Sequence, residues 1–143
     1  MKPSRTIAVL LAGAALLGGC SQADSGDDTP PPVQLKQIAG TDRFEVTLSQ
    51  QAQERLGIAT APVRQDGSST TVPYAAVIYD SAGATWAYVP ATAPRTYLRR
   101  HITVASVDGE TAVLSQGPAA GTPVVVVGSA ELLGAEAQIA GEE

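Results

Sequence analysis

The sequence predicts a mainly β protein: a small antiparallel β-roll or barrel-like domain with one short helix, preceded by a signal peptide and a disordered tether. Three observations predict this. Apolar residues alternate at period two in short stretches, as Phe44, Val46 and Leu48 do in RFEVTL. Turn signals such as QDGSS, SAG, Asp108-Gly109 and QGPAAGTP recur about every 8–12 residues, the spacing of a small all-β domain. Only QQAQERLG carries a clear helical pattern.

Residues 1–19 read as a lipoprotein signal peptide. Lys2 and Arg5 precede an uncharged run from Ile7 to Leu17, and small Gly18 and Gly19 lead to Cys20. The run is shorter than the roughly 20 apolar residues a membrane-spanning helix needs. Leu17-Gly18-Gly19-Cys20 resembles a bacterial lipobox, which implies lipidation of Cys20 and cleavage before it. The competing reading is ordinary secretory cleavage that leaves a free thiol, a liability in an oxidising compartment. With one cysteine the chain can form no internal disulfide, so its core must hold it together.

Loss of residues 1–19 removes two cations and no acid, which moves the formal charge from −5 to −7. Such an acidic chain gives no overall electrostatic reason to expect nucleic-acid binding or a grip on anionic lipid. Attachment to a membrane would come from the acyl chains. Residues 20–41 form a tether and lead-in, of which Ser21 to Pro32 holds no apolar residue larger than alanine and reads as solvated chain. Residues 42–140 form the β domain, although apolar patterning resumes near Val33.

Within the domain, Ser49 is an N-cap candidate and Gly57 a terminator, with Ala52 and Leu56 sharing the buried face of a helix of about two turns. Strands follow in IATAPV, TTVPYAAVIYD, TWAYV and TYLRRHITVASV. Asp108-Gly109 marks a hairpin that returns as TAVLS. PVVVVG does not alternate, which predicts a strand buried on both faces or central. Residues 131–136 are compatible with a turn of helix or a loop leading to a last strand.

The chain shows no nucleophile–base pair, no GxSxG elbow, no phosphate-loop pattern and no set of metal ligands at recognisable spacing, so the reading is non-enzymatic, with no cofactor and no metal. Two groups of residues remain as candidates. Arg95, Arg99 and His101 make a possible partner surface on an exposed strand face. Tyr74, Tyr79, Trp86 and Tyr88 make a possible groove for a small molecule or envelope polymer, although aromatics at alternating spacing more often pack a sheet.

AQERLGIATAPV, VPYAAVIYDSAGATWAYV, TYLRRHITV and VLSQGPAAGTPVVVVGSAELLGAE occur in that order, over most of residues 44–139. Together they resemble the membrane-proximal region of periplasmic adaptor subunits (membrane fusion proteins) of bacterial efflux pumps. Gly121 and Gly128 match the later glycines of that family's closing stretch, whereas Gly117-Pro118 stands where Gly-Leu is usual. In complete adaptors a lipoyl-like domain, a helical hairpin and a β-barrel separate the first of these segments from the rest. Here only the few residues around QDGSS do so. The resemblance therefore implies the membrane-proximal domain alone. It would act as an accessory or docking subunit in transmembrane transport, on an inner-membrane transporter or a full-length adaptor. Its place would be the cell envelope, lipid-anchored on the extracytoplasmic side of a bacterial membrane, periplasmic if there are two membranes. Ser21 after the cysteine is compatible with outer-membrane sorting if there are two membranes, since the usual inner-membrane retention signal is an aspartate.

Overall fold

Residues 31–141 are described by the computed structural model. The signal peptide, Cys20 and most of the tether lie outside these residues. The lead-in does not. Val33–Gln37 forms strand β1, and Phe44–Leu48 forms β2, its antiparallel neighbour. Alternation explains the pairing: Val33 and Leu35 turn inward onto the same cluster as Val46 and Leu48. The β domain thus begins near residue 33 rather than at residue 42.

Helix α1 runs over Gln50–Leu56, capped as the sequence predicts. The Ser49 hydroxyl accepts from the Ala52 N–H at 3.1 Å, and Gly57 ends the helix at φ +61°. Strands β3 (Ala59–Pro62), β4 (Arg64–Asp66) and β5 (Ser69–Pro73) come next, followed by a 3-10 turn over Tyr74–Ala76. Then come β6 (Ile78–Tyr79), β7 (Thr85–Pro90), β8 (Thr96–His101), β9 (Thr103–Asp108), β10 (Thr111–Gln116) and β11 (Pro123–Val127). Gly67 (φ +57°) turns β4 into β5, and Gly109 (φ +56°) turns β9 into β10.

The strands form three open antiparallel sheets, none of which closes into a barrel. Their orders are β1-β2-β8-β7-β6, β4-β5-β10-β9 and β11-β3. The fold is therefore the mainly β antiparallel domain that the sequence predicts. It carries two helices among the described residues rather than one, because residues 129–140 form helix α2 (Ser129–Ala140). A glycine inside a helix costs about 1 kcal/mol relative to alanine, and Gly134 lies mid-helix. The helix also begins at Gly128, without a side-chain cap. Both features hide it from a pattern reading. What holds it is tertiary: Leu132 and Glu136, four residues apart, are both buried.

Two hydrophobic clusters fill the interior. The first is wholly aliphatic and includes Val72, Val89, Ile102, Leu114 and Val124. The second includes Val46, Leu48, Tyr88, Tyr97, Val125 and Leu132. Strands β7 and β11 lie between them. Ala87 and Val89 face the first cluster and Tyr88 the second; likewise Val124 faces the first and Val125 the second. A strand buried on both faces has no polar side to show. That is why the valine run does not alternate.

Candidate functional site

The polar residues of greatest chemical interest meet where α2 lies against β8 and β7. Tyr97 and Arg99 share one face of β8, and α2 covers that face. Arg99 Nε lies 3.0 Å from Glu136 Oε1, with the two side chains only 13% and 4% exposed. Neither atom makes a hydrogen bond of normal geometry, so the contact is a Coulombic one between buried charges. The Tyr88 hydroxyl donates to the other carboxylate oxygen, Oε2, at 2.5 Å. Burial, and then the hydrogen bond to Glu136, push the Tyr88 phenol well above its ordinary range.

Trp86 extends this cluster toward solvent. The Arg99 guanidinium sits 4.9 Å from the Trp86 ring centre, a cation–π contact. The His101 ring meets Trp86 edge-on at 5.2 Å. The Trp86 indole N–H donates to Asp80 Oδ2 at 2.9 Å, while Asp80 Oδ1 accepts from the N–H groups of Ala82 and Ala84. That indole hydrogen bond, helped by the two amides and by Arg99, holds the Asp80 carboxyl below its usual range against a smaller desolvation effect. Asp80 thereby fixes the turn from β6 to β7, and its oxygens are engaged in doing so.

The predicted partner surface is not one surface. Arg95 lies in the exposed turn before β8, and His101 is exposed at the far end of that strand. Arg99, between them, is half-buried against α2, its Nε facing Glu136 and its terminal nitrogen donating to the Asp42 carbonyl at 3.4 Å. Strand parity assigned Arg99 to a face correctly, but parity cannot say that a helix covers the face. His101 instead joins Arg100, Gly117 and Pro118 around an open hollow of about 440 Å³.

Nor do the four aromatics line one groove. Tyr88 is fully buried and belongs to the core. Tyr74 and Tyr79 are 40% and 50% exposed, with their hydroxyls 3.3 Å apart. Of the four, Tyr79 alone lines the pocket of about 260 Å³ beside α2, together with Phe44, Asp80, Arg99 and Glu136. The residue that sequence reasoning missed is Glu136. Its one signal was the four-residue spacing from Leu132.

Chemically, the cluster is closed on itself. Its arginine faces its glutamate, its tyrosine donates to the same glutamate, and its aspartate is engaged by a turn. Among the described residues, no group of three or more His, Cys, Asp or Glu side chains is placed to hold a metal ion. No described helix is long and apolar enough to cross a membrane. No family model, no curated protein and no solved structure matches the chain.

Proposed function

We propose that this chain is a non-enzymatic, lipid-anchored protein of the bacterial cell envelope. In this reading its β domain corresponds to the membrane-proximal part of an efflux-pump adaptor and serves as an accessory or docking subunit in transmembrane transport. The observation that carries the reading is the pairing of β3 with β11. Pro62 lies opposite Pro123 and Ala61 opposite Val124, so the segment before the QDGSS link and the closing valine strand meet in one ladder. The link itself is the tight hairpin between β4 and β5. A domain whose early and late segments pair across so short a link needs nothing inserted between them to complete its core.

Two measurements test the proposal. Mass analysis of the purified protein is expected to show an acylated Cys20 at a new N-terminus, and Cys20→Ala is expected to abolish the modification. In-cell crosslinking at exposed positions, with identification of the captured proteins, is expected to recover a transporter subunit or a full-length adaptor. Reproducible recovery of neither ends the docking reading.

The pocket beside α2 favours a second reading, a ligand-binding envelope lipoprotein. Tyr79 and Phe44 offer apolar surface there next to Arg99 and Asp80. Trp86 touches two residues of this site and reports on it. Saturable change of its fluorescence with a small molecule favours this reading. A flat response across candidate ligands favours docking.

A further inference from the structure

The feature that neither the core nor the α2 cluster explains is Arg95. It is the one non-glycine residue with positive φ among the described residues, at +53°. It follows Pro94 in the turn between β7 and β8, a position where glycine or asparagine relieves the strain. The turn is clamped: the Leu48 N–H donates to the Arg95 carbonyl at 2.9 Å, and Arg95 Nε donates to the Leu48 carbonyl at 3.2 Å. The clamp engages Nε alone, and the two terminal guanidinium nitrogens make no further hydrogen bond among the described residues.

That side chain lines a groove of about 650 Å³ together with Arg55, Gln34 and Gln51. No carboxylate lines the groove. Glu54, adjacent to Arg55 in sequence, accepts instead from the Gln50 amide. The groove thus gathers two arginines and three glutamines, with Glu54 next to it in the adjoining hollow that Arg95 also lines, on a chain whose formal charge is −7 once residues 1–19 are lost. Pro31 and Pro32, where the described chain begins, also line it. Pro31 is eleven residues on from Cys20, so even a fully extended chain keeps the groove within about 40 Å of the sulfur.

We propose that this groove docks onto anionic phospholipid headgroups, and so orients the domain on the membrane that anchors it. Arg55 and Arg95 engage lipid phosphates through their planar guanidinium forks, and the glutamine amides bond headgroup hydroxyls. The acyl anchor supplies attachment, and the groove supplies orientation and a preference for anionic lipid. The inference rests on the anchoring reading above.

The test uses the mature lipoprotein in vesicles. Because acylation blocks Cys20, a fluorophore reacts only with an introduced cysteine. Thr92→Cys places it beside the Arg95 turn, and Val107→Cys places it on the β9–β10 hairpin. Quenching by a headgroup-borne quencher is expected at position 92 but not at 107, in phosphatidylglycerol-containing vesicles but not in pure phosphatidylcholine. The double variant Arg55→Gln/Arg95→Gln is expected to lower the docked-to-free ratio by roughly 25-fold, about fivefold per cation. Arg95→Gly separates docking from folding: relief of the positive φ offsets loss of the Nε bond to the Leu48 carbonyl, so thermal stability is expected to stay close to the parent's while docking falls about fivefold. Quenching that is equal in neutral vesicles, or indifferent to both arginines, overturns the docking proposal alone. A chain that proves unacylated by mass overturns the anchoring reading and the docking with it.

Discussion

The two hydrophobic clusters of this domain are nearly alike in size and opposite in character. The cluster around Leu114, Ile102 and Val124 is aliphatic throughout, and no charged side chain is among the buried polar residues beside it. The cluster around Tyr88, Tyr97 and Leu132 is closed by a helix, and that closure runs through Tyr88, Glu136 and Arg99. The first cluster asks only for volume. The second asks for charge balance and hydrogen-bond geometry as well, so it tolerates the loss of a partner less well than the loss of a methyl group.

The largest expected effect tests that contrast directly. Glu136→Ala leaves the Arg99 side chain, 13% exposed, without its contacting carboxylate, with only the more distant Asp80 to offset it, and the Tyr88 hydroxyl without its acceptor. A loss of about 3–5 kcal/mol in denaturant-induced unfolding is expected. The double replacement Arg99→Met/Glu136→Leu removes both charges together. Made in a Tyr88→Phe background, so that no buried hydroxyl loses its acceptor, it is expected to fall within about 1 kcal/mol of the parent, or above it, because an apolar pair carries no desolvation penalty. If the double variant is as unstable as Glu136→Ala, the balance of charge is not what holds α2. The contrast between the clusters then fails.

In the aliphatic cluster the corresponding probe is Leu114→Ala. Leu114 is 2% exposed and packs among aliphatic neighbours, so the cost is transfer plus cavity, about 3 kcal/mol. Urea melts are expected to show that loss with the same value at pH 5 and pH 8. A pH-dependent loss would place a titrating group in a cluster that has none.

A third probe returns to the polar cluster. Tyr88→Phe keeps the ring and removes the donor to Glu136, at a cost of about 1.5–3 kcal/mol near neutral pH. The folded-state pKa of Tyr88 is raised, so its contribution is complete below the ordinary tyrosine pKa near 10 and is lost as pH rises above that value. The stability gap between parent and Tyr88→Phe is therefore expected to be constant up to about pH 10 and to narrow above it. A gap that widens in alkali would show that the Tyr88 phenol is not held neutral by its burial.

The same contrast explains what could be read from the sequence. Elements governed by local rules were legible: Ser49 and Gly57 bracket α1, Gly67 and Gly109 turn their hairpins, and the valine run lies between two cores. The contacts of Tyr88 and Arg99 with Glu136 were not legible, because each depends on a partner far along the chain. Arg99 meets Glu136 from 37 positions away, through a helix that Gly134 and an uncapped start conceal. Tyr88 alternates with Trp86 on one face of β7, yet one is fully buried and the other only partly, according to what covers each end of the strand. Alternation assigns faces; tertiary packing decides which faces water reaches. The candidate surface and groove failed on this point.

The smallest expected effect asks how far the polar cluster's sensitivity spreads. Helix α1 packs Ala52 and Leu56 onto the same cluster but starts on a purely local device, the Ser49 hydroxyl accepting from Ala52 N–H. Ser49→Ala is expected to cost about 1 kcal/mol, the ordinary value of an N-cap. If α1 and α2 close the cluster independently, Ser49→Ala combined with Glu136→Ala is additive to within about 0.5 kcal/mol. A larger coupling would mean that the two helices brace one another through Leu48 and Leu132. In that case the closure is one cooperative unit spanning residues 49–136, not a charged latch at a single end.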